Sequence, residues 1–394
     1  MQNINFTESA SSLDQLLRLA KEIGETVVAR EAPVADQKGA YVRESIDALR
    51  KEKLTGLVVP KEFGGHGMGL FSLARISEEL GSHYASVGLC FGMHCVGSAV
   101  IAAKATSWHR EKYLERIARG QHLTTLALSE PGTGAHFYFP QTSLMPMSDE
   151  TFLVNGGKTF VTNGGHADSY VVSTMAASED ANPEQFSCAV IDAQTEGLQW
   201  GREWDGLGMR GNSSRSLKLN NVTISADQIL GAPGDQLWYV FNVVAPYFLI
   251  AMSGTYLGIA ERALREGKDV LLKRVYAHNG THLAQISLLQ HRLGTLWARV
   301  ERTRQLVYSA ARGYDGGEAN AVPTLLAAKA EVASCCVDTV NDVMTLTGGI
   351  GYAGNGILGM LLRDARASHV MAPTTDILYT WLGRSLLDQP ILSD

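Results

Sequence analysis

Apolar residues recur at helical spacing from Ser11 to about Gly120, as in Leu13, Leu16, Leu17 and Leu19–Ala20, then over Ser72–Gly81 and Val87–Ala103. The run Val58-Val59-Pro60-Lys61-Glu62-Phe63-Gly64-Gly65 interrupts them as a Pro/Gly-punctuated connector. From about Gln121 the texture becomes strand-like. Thr151–Val154, Tyr170–Ser173, Ser187–Ile191 and Ser216–Leu219 are short β-branched or alternating runs, and Asn155-Gly156-Gly157 and Asn163-Gly164-Gly165 read as turns between strands. Helical periodicity returns near Asp235, over Val240–Leu272, Leu288–Gly313 and Ala321–Leu346, stops at Gly348-Gly349, and ends in a helix over Thr375–Leu387. The order is helical, antiparallel β, helical, in units of 1–121, 122–234 and 235–394. A cleft where three such units meet is a natural place for a ligand.

The segment Gln236–Ala260 carries no charged residue and raises the question of a membrane span. Asn242, Pro246, Ser253, Gly254 and Thr255 interrupt it, and it reads as the one segment of its kind, so a helix buried on all sides is expected and no membrane association. The 394 residues are 45% apolar and 19% charged, which suits two or three domains with a substantial core. The net charge of −6 is well mixed, and no Lys/Arg cluster marks a nucleic-acid footprint, so no nucleic-acid partner is expected. Met1–Asp14 has neither a basic nor an apolar run of the kind that targeting peptides carry, and a cytoplasmic location is expected. Cys90, Cys95, Cys188, Cys335 and Cys336 sit mostly in apolar runs and read as buried free thiols. No CxxC or Cys/His ligand spacing occurs, and no metal is expected.

Several blocks follow one another at characteristic spacings. They are Val59-Pro60-Lys61-Glu62-Phe63-Gly64-Gly65-His66-Gly67, Leu128-Ser129-Glu130-Pro131-Gly132-Thr133-Gly134, and Asn155-Gly156-Gly157-Lys158-Thr159-Phe160-Val161-Thr162-Asn163-Gly164. Gly206-Leu207-Gly208-Met209-Arg210, Asn220-Asn221-Val222, Gly348-Gly349-Ile350-Gly351-Tyr352 and Arg363-Asp364-Ala365-Arg366 complete the series. Alone, Asn155-Gly156 is a hairpin turn, Gly348-Gly349 a helix stop and Arg363-Asp364 a solvated charge pair. In this order, over residues 58 to about 387, the series resembles the acyl-CoA dehydrogenase superfamily, with its VPxxxGGxG connector, TEPGxG turn and NGxKxxITNG strand.

The resemblance implies an α+β multidomain fold with an N-terminal helical domain, a middle antiparallel β-barrel domain and a C-terminal four-helix-bundle domain. It implies FAD as cofactor and an acyl thioester or related carbonyl compound as substrate. Leu128, Ser129, Gly134 and Ala135 would form a turn at the flavin, where a small hydroxyl and glycine backbone suit a ring edge and a pyrophosphate. Phe160 would pack on the isoalloxazine and Thr162 bond near its N5. Gly348 and Gly349, with Thr345 where Gln is usual, would give close backbone access. Lys273 and Tyr276, in Lys273-Arg274-Val275-Tyr276, resemble an RxxF block that reaches a neighbouring subunit's FAD, which implies a homodimer or homotetramer. Thr374 and Asp376 match positions that contact the adenosine or ribityl side.

The pattern breaks at the catalytic base. The proton removed from Cα needs a carboxylate on the substrate face opposite the flavin. In His369-Val370-Met371-Ala372-Pro373-Thr374, Ala372 stands where most members carry Glu, and Phe248 stands at the alternative position used by a minority. Pro246 and Leu249 replace an acid and an Arg that grip CoA, and Ala135-His136 replaces a Ser-Asp. His94, expected at the substrate pocket, and His369, one helical turn before Ala372, are the substitute proton-transfer candidates, each set against an ordinary satisfied histidine. Three functions stay open on these residues: α,β-dehydrogenation with another base, a flavin-dependent monooxygenase or oxidase that needs no Cα deprotonation, and a non-enzymatic flavin-binding member.

Overall fold

The computed structural model describes residues 10–134, 136, 138–148, 150–175, 186–232, 235–354 and 356–392. Helices α1 (Ala10–Ile23) and α2 (Ala29–Lys38) run on through a π-helical turn at Gly24–Val28, and α2 ends at Gly39 in the left-handed conformation. Then come α3 (Arg43–Lys51), α4 (Leu70–His83), α5 (Ala85–Ala103) and the short α6 (Ser107–His109) and α7 (Glu115–Ala118).

After the β segment follow α8 (Gln236–Tyr239), α9 (Ala245–Lys273), α10 (Ser287–Asp315), α11 (Ala321–Thr347), α12 (Ile357–Val370) and α13 (Thr375–Leu386). Helix α9 is the centre of the helical mass, packed on α4, α5, α10, α11 and α12. Side chains at Gly254 and Gly258 would collide with the carbonyls of Ala74 and Glu78, so α9 and α4 approach backbone to backbone. Asp315, at the end of α10, accepts from the N–H groups of Leu70 at 2.8 Å and Phe71 at 2.9 Å and caps α4 from across the chain. The two helical segments therefore form one body. Gly348 ends α11 with φ of 66°, as its sequence implied. Helix α12 has no counterpart in the periodicity reading, which passed from Gly348-Gly349 directly to the last helix.

Among the described residues two stretches, Ala85–Ala103 and Val240–Lys273, are long and apolar enough to cross a membrane, and 94% and 89% of their most apolar windows are buried inside the molecule. Packing on helical neighbours accounts for their composition. The sequence reading singled out only the second. Helix α5 is equally free of charge, and its short Gly, Ser and Cys side chains made it less conspicuous. All five cysteines are buried and unpaired.

The middle segment forms two open four-stranded sheets instead of the expected antiparallel barrel. One has the order β1 (Thr124–Ala127), β4 (Ser169–Met175), β5 (Phe186–Asp192), β8 (Ile229–Leu230), and β1 runs parallel to β4. The other is antiparallel, ordered β2 (Ser143–Ser148), β3 (Thr151–Val161), β7 (Arg215–Ser225), β6 (Leu198–Trp200). Among the described residues no ladder joins the two sheets, so their edges stay open.

Asn155-Gly156-Gly157 is not a turn. It lies inside the eleven-residue β3, where the β3–β7 register slips between Val154 and Gly156. Gly156 is needed there because a side chain would strike Thr142 of the neighbouring segment. A second slip, between Lys158 and Val161, sets up the functional site.

Candidate active site

The second slip in β3 leaves Phe160 with φ of 54°, a conformation that is strained for a bulky residue. Its ring is 66% exposed and meets Trp204 edge-on, with centroids 6.1 Å apart. Both rings face a cavity of about 740 Å³. Its walls come from α5 (Leu89, Met93), the segment after β1, the end of β3, the loop around Met209, the start of α9 (Ala245, Phe248) and the α12–α13 connection.

A buried ion pair fixes the segment after β1. Lys158 Nζ lies 2.5 Å from Glu130 Oε1 and donates to the Ser173 carbonyl at 2.5 Å and the Ser173 hydroxyl at 2.9 Å. Glu130 also accepts from Gln141 N–H at 2.7 Å and from the N–H and hydroxyl of Thr142 at 3.3 and 2.8 Å. Burial pushes the Lys158 ammonium down to about 8, with Glu130 pulling the other way. Thr159 N–H donates to the Ser129 carbonyl at 2.8 Å and fastens the turn to β3. Gly132 and Gly134, at φ of 88° and 55°, turn their open side outward, where an added Cβ would meet nothing within 4 Å.

The facing loop is tied to α12 and α2. Met209 N–H donates to Asp364 Oδ1 at 2.6 Å, and Gly208 packs on the Arg363 carbonyl so closely that no side chain fits. Arg363 grips Asp36 through both amine nitrogens, at 3.0 and 2.5 Å. Arg363-Asp364 is thus no mutual surface pair: one member binds Asp36, and burial pushes the other's carboxyl up to about 7. Beneath the α12–α13 connection, the fully buried Lys329 donates to the carbonyls of Ser368 at 2.7 Å and Pro373 at 3.3 Å. Among the described residues no carboxylate pairs with it, and burial pushes its ammonium down to about 8.

Leu128, Ser129, Gly134, Phe160, Thr162 and Thr374 all line this one cavity, as do the vacated base positions Ala372 and Phe248. Thr162 also shares a hydrogen bond with the Ser214 hydroxyl at 3.3 Å. Ala135 lies outside the described residues. An exposed aromatic face, two hydroxyls and an open glycine turn suit a flat, polar-edged ring, so these residues fit a flavin.

The histidine candidates are not brought there. His94 is buried in the core, where Nδ1 accepts from Thr124 N–H at 3.1 Å and Nε2 donates to the Thr55 carbonyl at 2.9 Å. Burial pushes its imidazole down to about 4, which leaves it neutral and committed. Met93, its neighbour on α5, faces the cavity instead. His369 bonds the Thr375 hydroxyl at 3.1 Å and is absent from the lining. Among the described residues the lining carries one carboxylate, Glu130, which is engaged by Lys158.

Lys273, Tyr276, Thr345, Gly348 and Gly349 are exposed on a surface apart from the cavity, where Arg274 Nη1 bonds the Thr347 carbonyl at 3.4 Å. Asp376 is exposed in the first turn of α13. Sequence reasoning did not single out Glu130, Trp204, Asp36 or Lys329. A Glu one position after Ser129 and a Lys inside an otherwise uncharged strand were the available signals for the Lys158–Glu130 pair.

Three family descriptions match in succession: "Acyl-CoA dehydrogenase, N-terminal domain" over residues 11–121, "middle domain" over 125–222, and "C-terminal domain" over 247–387. This chain belongs to the acyl-CoA dehydrogenase family. It is 27% identical over 371 residues to the acyl-CoA dehydrogenase of Bacillus subtilis (strain 168), covering 94% of this chain and 96% of that one. It is 28% identical to the cyclohex-1-ene-1-carbonyl-CoA dehydrogenase of Geobacter metallireducens, covering 94% and 97%. The butyryl-CoA dehydrogenase structure from Megasphaera elsdenii matches with a TM-score of 0.89 and 25% identity over 98% of this chain and 100% of that one. The family is one of flavin-dependent oxidoreductases.

Proposed function

We propose that this protein binds FAD in the cavity and acts as an oxidoreductase of the acyl-CoA dehydrogenase type, introducing an α,β double bond into an acyl thioester or related carbonyl compound. The observation that carries the reading is the convergence of Ser129, Phe160 and Thr162 with Ala372 and Phe248 on one cavity of about 740 Å³. Bound flavin supplies a hydride acceptor. The chain's own part is to orient. The hydroxyls of Ser129 and Thr162 hold the polar edge of the ring, Phe160 covers its face, and the open Gly132–Gly134 turn admits the phosphates. Thr374 and Asp376 serve the adenosine or ribityl side. The apolar walls from α5 and α9 exclude water from the reacting carbons.

A second reading is favoured by a specific observation. Among the described residues the lining holds no carboxylate or imidazole free to take a Cα proton, because Glu130 is paired and His94 and His369 lie elsewhere. A monooxygenase on the same scaffold, which inserts oxygen and is fed with reduced flavin, needs no such group. Anaerobic titration separates the two. Bleaching of the flavin by an acyl thioester supports dehydrogenation, whereas turnover only with supplied reduced flavin and oxygen supports the second.

The exposed surface bearing Lys273, Tyr276, Thr345 and Gly348-Gly349 also presents Ile350 and Tyr352, the latter 83% exposed. A second copy of the chain is the proposed cover, giving a homodimer or homotetramer whose sites are completed across the contact. Sedimentation of the wild type against Tyr276→Ala, with flavin content read in parallel, tests it. Five buried unpaired thiols fit a cytoplasmic location.

A further inference from the structure

We infer that the cavity takes an uncharged, apolar acyl or carbonyl group, and that the nucleotide part of any carrier adds nothing to its binding; this rests on the flavin-oxidoreductase reading of the same site. Two observations carry it. The first is charge. Among the lining residues no Lys, Arg or His occurs, and those that are exposed, at the mouth, are Pro131, Gly132, Gly134, Phe160 and Val370. Arg210 and Arg363, from the facing loop and α12, are held by the Asp36 carbonyl and carboxylate. A nucleoside diphosphate gains affinity from cationic or N–H donors, and the flavin's own pyrophosphate claims the glycine turn.

The second is packing beside the mouth. The chain leaving the glycine turn folds down onto α13, where the buried Tyr138 ring lies 6.1 Å from Trp381. Pro246 and Leu249, on the first turns of α9, are buried against Trp381, Leu325 and Ile391 around a void of only about 10 Å³. Among the described residues, these contacts on this side of the site are apolar. The wall that remains, Leu89, Met93 and Phe248 among it, rewards burial of hydrocarbon.

The test uses the flavin-loaded full-length protein and reads ligand binding from the perturbation of the flavin spectrum. Octanoyl-CoA, octanoyl-pantetheine and 2-octanone are titrated at low and high salt. Octanoyl-CoA and octanoyl-pantetheine are expected to bind within about threefold of one another, with no salt dependence, 2-octanone is expected to perturb the spectrum at whatever affinity its hydrocarbon gives, and Arg366→Ala, which alters the exposed cation beside Ala367, is expected to leave octanoyl-CoA binding unchanged. Octanoyl-CoA binding tenfold or more tightly than octanoyl-pantetheine, weakening with salt or with Arg366→Ala, overturns the inference. So does flavin-loaded protein whose spectrum no probe perturbs. Protein that is folded but takes up no flavin overturns the functional reading itself, and is told apart at the loading step.

Discussion

Replacing Lys158 with Met tests the ion pair that sets the flavin-facing turn. Lys158 and Glu130 are 1% and 6% exposed, so water cannot solvate whichever charge is left behind. Removing one member of such a pair costs about 3–5 kcal/mol. Glu130 keeps three donors from Gln141 and Thr142, which places the change at about 3 kcal/mol, the low end. The Ser173 carbonyl and hydroxyl lose their donor as well. Urea unfolding followed by tryptophan fluorescence, with flavin content measured on the same samples, reads both consequences. Lys158→Met should lower the midpoint and the flavin content together. The double variant Glu130→Gln with Lys158→Met removes the stranded charge and should recover about 2 kcal/mol of the loss. A single variant costing less than about 1 kcal/mol, or a double variant no better than the single, would refute the view that a buried charge pair anchors this turn.

Ala372→Glu places a carboxylate where the cavity has none and should raise flavin bleaching by an acyl thioester at least about 100-fold; an unchanged rate with normal flavin content counts against the assigned geometry. His94→Gln should lower stability yet leave the pH profile of turnover untouched, since the wild-type imidazole is held neutral with its carboxyl-free partners; a shifted profile would restore His94 as a proton carrier. Asp364 has a carboxyl raised to about 7, so its contribution to stability is full below the ordinary 3.8 and is lost as pH rises through 7. Asp364→Asn should flatten that fall, on the order of 4 kcal/mol, and an unfolding profile that tracks the wild type from acid to neutral pH speaks against it. Lys329 has the opposite sign. With its ammonium lowered to about 8 from 10.5, stability should rise as pH climbs through that window, and Lys329→Met should remove the rise.

The order helical, β, helical and the long helices were legible because apolar periodicity over many residues reports burial of one face. That the turn at Gly132–Gly134, Phe160, Thr162 and Ala372 belong near one another was legible only through the resemblance of their short motifs to a known family, and they do line one cavity, the turn and Phe160 with positive φ. What failed had a common cause. Asn155-Gly156-Gly157 looks like a hairpin turn locally, yet Thr142, just before β2, demands the glycine. Barrel closure and the parallel β1–β4 pairing depend on partners more than forty residues apart, of which local alternation says nothing. His94 shares α5 with the cavity-facing Met93, but one position along a helix turns a side chain by about 100°. Lys329 drew no notice in the sequence and Glu130 only as part of a turn motif, because their burial depends on segments far along the chain.

The most direct test of the account is the flavin itself. Purified protein incubated with FAD should retain it stoichiometrically after gel filtration, and Phe160→Ala with Thr162→Val should weaken retention while circular dichroism stays native. Natively folded wild type that holds no flavin, or a double variant that holds it undiminished, would contradict the cavity's assigned role.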